Sequence, residues 1–435
     1  MIFKKILKNK NFLVYGLGLT GISAMKFLKK EKAKNVYLWD DNIKFRKRYK
    51  VRDNDKSLKK KFSKADYIVL SPGISLISAK KRKLLKRNKN KIITDIDLFF
   101  LTNKVYKSII VTGTNGKSTT CSLIQRVLSD SKFNTVTVGN IGKPILNYNL
   151  KKKNDVIVVI EMSSFQLEYS KYIKPNHAIL LNITKDHLDW HGNMEKYIQS
   201  KLKIFTHQNQ NDFAYLPPDK NIINRLKKNK VKSNIFLNRY KIQHYLKNKI
   251  SNPYLLSKAN LENLSFIYLL KNNLKISDKN FFSSLKKFEG LPHRQEIFLK
   301  KNNIFFINDS KATTFEASNA CLKSYRNIIW IVGGLKKTGD DFNFNKVKSN
   351  VLKAFIIGSN TSFFKLKMRN KIPYRETVNL NKTTKYIFDE IKNSSKKEIN
   401  VILSPACASY DQFKNFEDRG NLFKKLIINY AKKYF

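Results

Sequence analysis

The sequence is poor in cysteine, and long apolar runs are missing. Its three cysteines, Cys121, Cys321 and Cys407, lie far apart in the 435-residue chain, and their spacing matches no metal-binding motif. A small and odd number of cysteines argues against a disulfide framework and is typical of proteins of the reducing cytoplasm. No apolar run approaches the roughly 18–20 residues that a membrane-spanning helix needs, so we expect a cytoplasmic protein that does not insert into a membrane.

Acidic residues are also scarce: 32 Asp and Glu stand against 86 Lys and Arg, for a net charge of +54. Such a surplus is typical of nucleic-acid-binding proteins. Only about 13 of the 86 are arginine, however, and the lysines are spread along the chain instead of clustering with aromatic residues. We therefore expect a solvated, lysine-rich surface that attracts anionic small molecules and no nucleic-acid partner. A basic, nucleic-acid-binding ATPase remains an alternative.

Apolar runs rich in Val, Ile and Leu alternate with helical segments along the chain. Strands are predicted at residues 11–15, 36–39, 66–73, 108–112, 155–164, 177–184, 304–309, 327–334, 352–359 and 399–406. Nearly continuous apolar strands between helices predict parallel sheets that are covered on both faces. We expect an α/β protein of three domains: an N-terminal Rossmann-like sheet in residues 1–103, a central P-loop ATPase-type domain in 104–290, and a C-terminal Rossmann-like domain in 291–435.

A glycine-rich loop follows the first predicted strand. Gly16, Gly18 and Gly21 form a GxGxxG motif before a helix, and Asp40 stands at the end of the next strand. In this arrangement a helix N-terminus binds phosphate and the acidic residue binds a ribose. The motif does not identify the nucleotide, so it leaves a nicotinamide-dependent oxidoreductase open, as well as a tight turn without a ligand.

A second glycine-rich loop, GTNGKST at residues 113–119, lies between another apolar strand and a helix. Its backbone N–H groups and the helix N-terminus suit phosphates, Lys117 reaches terminal phosphates, and the Ser118 hydroxyl suits Mg²⁺. This pattern predicts a compressed P-loop. A nucleoside triphosphate site in mid-chain weakens the oxidoreductase interpretation of the first loop.

Candidate metal ligands follow the next two strands. Glu161 ends the strand after the P-loop, and Asp186 and His187 follow the strand after that. Carboxylate oxygens are the ligands that Mg²⁺ prefers, and the carboxyl ends of parallel strands share one edge of a sheet. We expect a magnesium site at this edge, although an Asp-His pair by itself is more often a local cap.

The helix that follows carries a lysine on its apolar stripe. Lys201 shares the helical spacing of five apolar residues: Met194, Tyr197, Ile198, Leu202 and Phe205. A buried, unpaired ammonium is costly, so Lys201 either serves the metal edge or snorkels to solvent.

Cationic and polar residues follow the strands of the last third of the chain. Arg294, Lys311 and Lys337 belong to the motifs LPHR, INDSKAT and GGLKK, and SPACASYDQF follows a further strand. We expect these side chains at the ligand edge of a parallel sheet, where they suit phosphate and carboxylate groups.

Taken together, the motifs GTNGKST, EMSSFQLE, NITKDHLDWHG, LPHR, INDSKAT and SPACASYDQF resemble, in order and spacing, those of the Mur ligases. The resemblance covers nearly the whole chain, and the segments GLGLTG, SPGI and FEDRGNLF are most similar to the D-glutamate-adding branch. It implies an ATP-dependent ligase of peptidoglycan precursor synthesis, and so of cell-wall biogenesis. It also implies two Mg²⁺ ions and the substrates UDP-N-acetylmuramoyl-L-alanine and D-glutamate. We expect the protein to be a monomer. An acceptor other than D-glutamate remains an alternative.

The resemblance also implies roles for individual residues. The UDP-sugar would contact Leu19, Thr20, Asp40, Asp41 and Gly73, with Asn140 and His187 nearer its muramoyl part. The ATP phosphates would lie against Gly113, Thr114, Asn115, Gly116, Lys117, Ser118 and Thr119, and the adenosine against Asn263, Arg294 and Asp309. The metal ligands would be Ser118 with Glu161, and His187 with a carbamylated Lys201. D-Glutamate would meet Lys311, Thr313, Lys337, Ser409, Tyr410 and Phe416, and catalysis would involve Lys117, His187, Lys201 and Lys311.

The chain departs from the family pattern at three places. Ala259 stands where the family commonly has histidine, and this difference affects the local packing around the adenine. Tyr410 stands where leucine is common. The loop at Lys337 differs in length, so its neighbour Lys336 is the alternative for the acceptor-site lysine.

Overall fold

The computed structural model describes residues 7–51, 54–102, 107–140, 143–148, 155–336 and 342–435. The chain divides into two compact units, Met1–Phe288 and Glu289–Phe435. The helices are Leu19–Lys30, Ile43–Arg48, Asp55–Lys64, Arg82–Arg87, Asp95–Thr102, Lys117–Asp130, Ser164–Tyr169, Leu188–His191, Met194–Leu202, Lys220–Lys228, Tyr240–Lys249, Lys258–Asn273, Asp278–Lys286, Phe315–Ser324, Thr361–Met368, Leu380–Lys392 and Phe416–Tyr434.

The first sheet of the first unit is parallel and has four strands. They are β1 (Asn11–Tyr15), β2 (Asn35–Trp39), β3 (Tyr67–Leu70) and β4 (Ile92–Ile93), in the order β2-β1-β3-β4. Side chains of β1 alternate between two apolar clusters: Phe12 and Val14 enter one, and Leu13 and Tyr15 enter the other. Burial on both faces is why β1 is an uninterrupted apolar run.

The second sheet of this unit is also parallel and has six strands. They are β5 (Lys107–Thr112), β6 (Thr135–Gly139), β7 (Ile157–Glu161), β8 (His177–Leu180), β9 (Phe213–Leu216) and β10 (Asn234–Leu237), in the order β10-β9-β8-β5-β7-β6. The central strands β5, β7 and β8 end at the same edge of the sheet. That edge therefore receives the P-loop, Glu161 and the segment 182–187.

The second unit holds a six-stranded sheet. Its strands are β11 (Glu296–Lys301), β12 (Ile304–Asn308), β13 (Ile328–Gly333), β14 (Val351–Ile357), β15 (Tyr374–Val378) and β16 (Ile399–Leu403), in the order β11-β12-β16-β13-β14-β15. β11 pairs antiparallel with β12, and the other pairs are parallel. The loops after β12, β13 and β16 share the carboxyl edge of this sheet.

The predicted α/β class is confirmed, and every strand predicted from sequence has a counterpart. The structure adds strands that the sequence analysis did not predict, namely β4, β6, β9, β10, β11 and β15. One apolar cluster includes both Val14 of β1 and Ile110 of β5, so the first two sheets share a core within one unit. The three domain boundaries stay a prediction.

Candidate active site

The P-loop connects β5 to the helix Lys117–Asp130. Gly116 is the helix N-cap with φ of 84°, a left-handed conformation that favours glycine. A Cβ at this position would also come within 2.5 Å of Oδ1 of Asn263. Glycine is thus required at position 116 for the left-handed backbone conformation and for the close approach of Asn263. This approach brings one of the residues predicted to bind adenosine against the phosphate loop.

The segment after β8 braces the P-loop through its backbone. Thr114 N–H donates to the carbonyl of Asn182 at 2.9 Å, and Asn115 N–H donates to Oδ1 of Asn182 at 2.9 Å. Thr184 N–H donates to Oγ1 of Thr114 at 2.9 Å. These bonds fix the positions of residues 114 and 115 relative to the segment after β8.

Two lysines converge on the first carbonyl of the loop. Lys117 Nζ donates to the carbonyls of Gly113 at 2.9 Å and Thr114 at 2.8 Å, and Lys201 Nζ donates to that of Gly113 at 2.8 Å. Lys201 is 1% exposed and lies over the ring of Tyr197. Burial, followed by the positive charge of Lys117, holds the pKa of Lys201 well below its ordinary value, against the opposing effect of Asp186.

Glu161 offers a buried carboxylate at the end of β7. Its Oε1 accepts a hydrogen bond from Nδ2 of Asn140 at 3.0 Å. Its Oε2 is buried and accepts none from any described residue. A buried carboxylate oxygen needs a partner, and the hydroxyl of Ser118 is also buried, in the neighbouring P-loop. Glu161 and Ser118 therefore suit a hard cation.

Across the described ranges, no group of three or more His, Cys, Asp and Glu side chains is arranged to hold a metal. A cation at Glu161 therefore needs ligands of other kinds. The hydroxyl of Ser118 and oxygens of bound phosphate are of the type that Mg²⁺ accepts.

His187 lies in the turn that begins the short helix Leu188–His191. Its φ is 56°, and its Nε2 is 3.2 Å from Oδ2 of Asp186. Its ring packs against Phe165, with 4.6 Å between ring centroids. The Asp-His pair therefore has a defined orientation within the edge that carries the P-loop.

The sequence analysis did not assign Tyr197 or His191 to the site, although both lie in segments that it quoted. Tyr197 is fully buried, and its hydroxyl is 2.9 Å from Oγ1 of Thr114. His191 is also buried, which lowers its pKa to about 4, so the ring is neutral at physiological pH. The apolar stripe of the helix indicated that Tyr197 is buried, but no sequence signal showed what either side chain contacts.

The first glycine-rich loop is held by the acidic residues after β2. Both oxygens of Asp40 accept backbone hydrogen bonds, from Leu17 N–H at 2.6 Å and from Asn42 N–H at 2.7 Å. Oδ1 of Asp41 accepts from the Tyr15 hydroxyl at 2.8 Å. Asp40 thus shapes the loop itself, a role that the fingerprint spacing did not predict.

Three more residues predicted for the UDP-sugar lie at this same edge of the first sheet, whereas Asn140 and His187 follow strands of the second sheet. Leu19 is 84% exposed at the start of its helix, Thr20 is half-buried, and Gly73 is exposed after β3. Gly16 and Ser71 join the first loop to the third strand, since the Ser71 hydroxyl donates to the Gly16 carbonyl at 3.0 Å.

In the second unit, Asp309 follows β12 and is 6% exposed. Its Oδ2 accepts from the Ser404 hydroxyl at 2.8 Å, and its Oδ1 accepts from Gln295 N–H at 3.2 Å. Burial raises the pKa of Asp309 to about 7, although these bonds and the charge of Arg294 act in the opposite direction. The carboxyl group therefore changes protonation state near neutral pH.

Lys311 lies over the ring of Phe416, with Nζ 3.8 Å from the ring centroid. This contact joins two residues predicted for the acceptor. Ser409 is buried in the chain segment after β16, Thr313 is half-buried, and Tyr410 is 72% exposed. Lys337 lies outside the described residues, and the ammonium of Lys336 lies over Phe363.

The sequence analysis also missed Arg419, a buried arginine that organises this edge. Its guanidinium donates to Oγ of Ser310 at 3.0 Å, to the Ser310 carbonyl at 2.8 Å and to the Cys407 carbonyl at 3.1 Å. Arg419 is 1% exposed. It ties the loop after β12 and the loop after β16 to the last helix.

The predicted site residues are divided between the two units. The first unit holds the residues predicted for phosphates, metal and UDP-sugar, together with Asn263. The second unit holds Arg294, Asp309 and the residues predicted for the acceptor. Most of the described site residues lie in the segments that follow parallel strands, whereas Asn263 and Phe416 lie on helices.

Two family models match the chain. The model described as Mur ligase middle domain matches residues 111–262, and the model described as Mur ligase MurD-like, N-terminal domain, matches residues 10–93. The first contains the P-loop, Glu161, His187 and Lys201, and the second contains the first glycine-rich loop.

Curated relatives match over nearly the full length. A UDP-N-acetylmuramoylalanine--D-glutamate ligase from Wolbachia pipientis is 33% identical, with 97% of each chain covered. An enzyme of the same name from Rickettsia bellii is 34% identical, over 96% of this chain and 97% of the relative.

Solved structures show the same fold at low identity. UDP-N-acetylmuramate-alanine ligase MurC from Thermotoga maritima aligns with a TM-score of 0.58 at 14% identity, over 98% of this chain and 100% of that one. MurF from Acinetobacter baumannii aligns with a TM-score of 0.55 at 16% identity, over 74% and 76%. The relatives that match nearly the full length, the shared fold and the P-loop all indicate one family. The chain belongs to the Mur ligase family of ATP-dependent, amide-bond-forming ligases.

Proposed function

We propose that this ligase adds D-glutamate to UDP-N-acetylmuramoyl-L-alanine, with conversion of ATP to ADP and phosphate, during peptidoglycan precursor synthesis. The observation that carries the proposal is the name shared by relatives that match 96–97% of the chain at 33–34% identity. The P-loop supplies the nucleotide site. Lys311 and Phe416 supply a cation and an apolar wall, which suit an acceptor with two carboxylates on a short carbon chain.

The reaction that fits these residues has two steps. An oxygen of the L-alanyl carboxylate attacks the γ-phosphorus of ATP, and the bond to ADP breaks, which gives an acyl phosphate. The neutral amine of D-glutamate then attacks the acyl carbon. The nitrogen gives up one proton and the bond from the acyl carbon to the phosphate oxygen breaks, so that hydrogen phosphate leaves as the amide forms. Lys117 neutralises charge on the transferred phosphoryl group, and Lys311 orients the acceptor.

Two Mg²⁺ ions belong to this proposal. Ser118 and Glu161 would hold one, and His187 with a carbamylated Lys201 would hold the other. When bound, the ions would neutralise negative charge on the phosphates. The unpartnered Oε2 of Glu161 supports the first assignment.

The environment of Lys201 supports carbamylation. Burial, followed by the charge of Lys117, holds the pKa of Lys201 well below its ordinary value, which favours the neutral amine that CO₂ requires. The amine nitrogen forms a bond to the carbon of CO₂ and releases one proton to solvent, which yields an anionic carbamate. Its two oxygens are hard ligands of the kind that Mg²⁺ prefers.

The other site residues complete the proposal. Asn263, Arg294 and Asp309 bind adenosine, and Leu19, Thr20, Asp40, Asp41, Gly73 and Asn140 bind the UDP-sugar. Thr313, Lys337, Ser409 and Tyr410 join Lys311 and Phe416 around the acceptor. We also propose that the enzyme acts in the cytoplasm as a monomer of three domains. In the part of the chain that the structure describes, helices that could cross a membrane are absent.

The experiment that tests the proposal uses UDP-N-acetylmuramoyl-L-alanine labelled with ¹⁸O in its carboxylate. We expect a product heavier by one glutamyl residue and one ¹⁸O atom in each released phosphate. Product without label in phosphate would contradict the acyl phosphate step. Absence of D-glutamate from the product would contradict the proposed acceptor.

A further inference from the structure

A buried hydrogen bond joins the segments that follow β7 and β8, the two strands on either side of β5 in the second sheet. His191 Nε2 lies 2.9 Å from Oγ of Ser164. Both residues are nearly inaccessible, at 3% and 2% exposure. Ser164 begins the helix that follows Glu161, and His191 ends the short helix that begins after His187. The bond therefore connects the Glu161 side of the edge to the His187 side.

The ring of His191 also packs against the helix that carries Lys201. Its centroid is 5.2 Å from that of Tyr197 and 5.8 Å from that of Phe165. Tyr197 in turn lies beneath Nζ of Lys201 and bonds to Thr114 of the P-loop. Tyr197 thus contacts both His191 and Lys201.

We propose that His191 is a positioning residue for the ligase reaction, which holds the Lys201 helix at a fixed distance from Glu161 through its bond to Ser164 and its contact with Tyr197. The inference rests on the roles proposed above for Glu161 and Lys201. Both side chains serve the same phosphate groups, so a small change in their separation slows the chemical step.

Besides the bond between Tyr197 and Thr114, the P-loop has supports that do not involve His191. Its backbone is held by Asn182, and Thr114 is also bonded to Thr184. Loss of the His191 bond should therefore reduce kcat and leave nucleotide binding nearly unchanged. A residue that merely stabilised the fold would not separate these two quantities.

The test compares His191→Phe, which keeps a ring against Tyr197, with His191→Gln, whose amide can still bond to Ser164. For His191→Phe we expect kcat to fall at least tenfold. The KM for ATP, and the ADP dissociation constant from calorimetry, should stay within twofold of wild type. His191→Gln should recover most of the lost kcat.

Ser164→Ala removes the same bond from the other side with a smaller change in shape. Its loss of kcat should not add to that of His191→Phe in the double variant, because one bond is removed in both cases. A matched control is His177→Phe. His177 is also buried and lies 3.0 Å from the hydroxyl of Tyr215, but it stands at the opposite end of β8. This control should lower the unfolding temperature and leave kcat unchanged.

Three outcomes would overturn the inference: kcat of His191→Phe within twofold of wild type, additive losses in the double variant, or an equal fall of kcat in His177→Phe. The variant Glu161→Gln tests the assignment of the site separately from the role of His191. An inactive Glu161→Gln with a fully active His191→Phe contradicts only the role of His191. A fully active Glu161→Gln contradicts the site assignment and, with it, the inference.

Discussion

Lys117 and Lys201, 84 positions apart in the chain, donate hydrogen bonds to the same carbonyl oxygen, that of Gly113. Two ammonium groups at one carbonyl repel each other, and the more buried of them, Lys201, has the lowered pKa. The two lysines therefore suit different tasks. Lys117 is suited to contact phosphate from the start of its helix, whereas burial of Lys201 favours its neutral amine.

We predict that Lys117→Ala abolishes turnover while the protein still folds, since its ammonium serves phosphate charge and not an apolar core. We expect kcat to fall by at least three orders of magnitude, measured as phosphate release from ATP. Arg126→Ala is the control on the same helix. Its ion pair with Asp130 is partly exposed, and its loss should change activity by less than about twofold. Normal turnover in Lys117→Ala would contradict the assignment of this loop.

Lys201→Arg should be nearly inactive although it keeps a positive charge, because guanidinium does not form a carbamate. Wild-type activity should fall in CO₂-depleted buffer and recover with bicarbonate, and ¹³C-bicarbonate should give a carbamate resonance. Lys196→Arg, at an exposed position of the same helix, is the control and should behave as wild type. An active Lys201→Arg would instead support direct contact between an unmodified lysine and phosphate.

The buried carboxyl of Asp95 should make stability depend on pH. Burial raises its pKa to about 7, and its Oδ1 accepts no hydrogen bond from any described residue. Between the unfolded value near 4 and pH 7 the folded state binds the extra proton, so stability falls as pH rises. At about 1.4 kcal/mol per pKa unit, the cost at pH 8 is at most about 4 kcal/mol.

Asp95→Asn removes that ionisation. We expect its unfolding temperature to exceed that of wild type at pH 8, with little difference at pH 4.5. Asp66→Asn is the control and should change the stability in the opposite direction. Backbone and lysine hydrogen bonds lower the pKa of Asp66, so its replacement should reduce stability at neutral pH. An equal effect of Asp95→Asn at both pH values would contradict this account.

Phe416→Ala should raise the KM for D-glutamate about tenfold and leave the KM for ATP nearly unchanged. The substitution removes the ring beneath Lys311 and the apolar wall of the acceptor site. Tyr386→Ala removes a comparable contact with Arg375, at 3.5 Å, and should leave both constants unchanged. Equal increases in both KM values after Phe416→Ala would show that the ring is misassigned.

The sequence predicted the central strands well, because burial on both faces makes them continuous apolar runs. Most of the strands that it missed are edge strands, such as β10 and β15, which are half exposed and carry polar residues in this lysine- and asparagine-rich chain. Helical spacing placed Lys201 on the apolar stripe but left snorkelling open, and the structure shows that the side chain is buried. The sequence could not predict Arg419 or the bonds of Asp40, because these depend on contacts between distant segments or on loop conformation.

The most direct measurement of the central claim is the rate of phosphate release from ATP in the presence of UDP-N-acetylmuramoyl-L-alanine, with one amino acid added at a time. The acceptors to compare are D-glutamate, L-glutamate, D-aspartate, L-alanine, L-lysine and meso-diaminopimelate. The account predicts rapid release with D-glutamate and rates near background with the others. Equal or faster release with any other acceptor, or release independent of the acceptor, would contradict it.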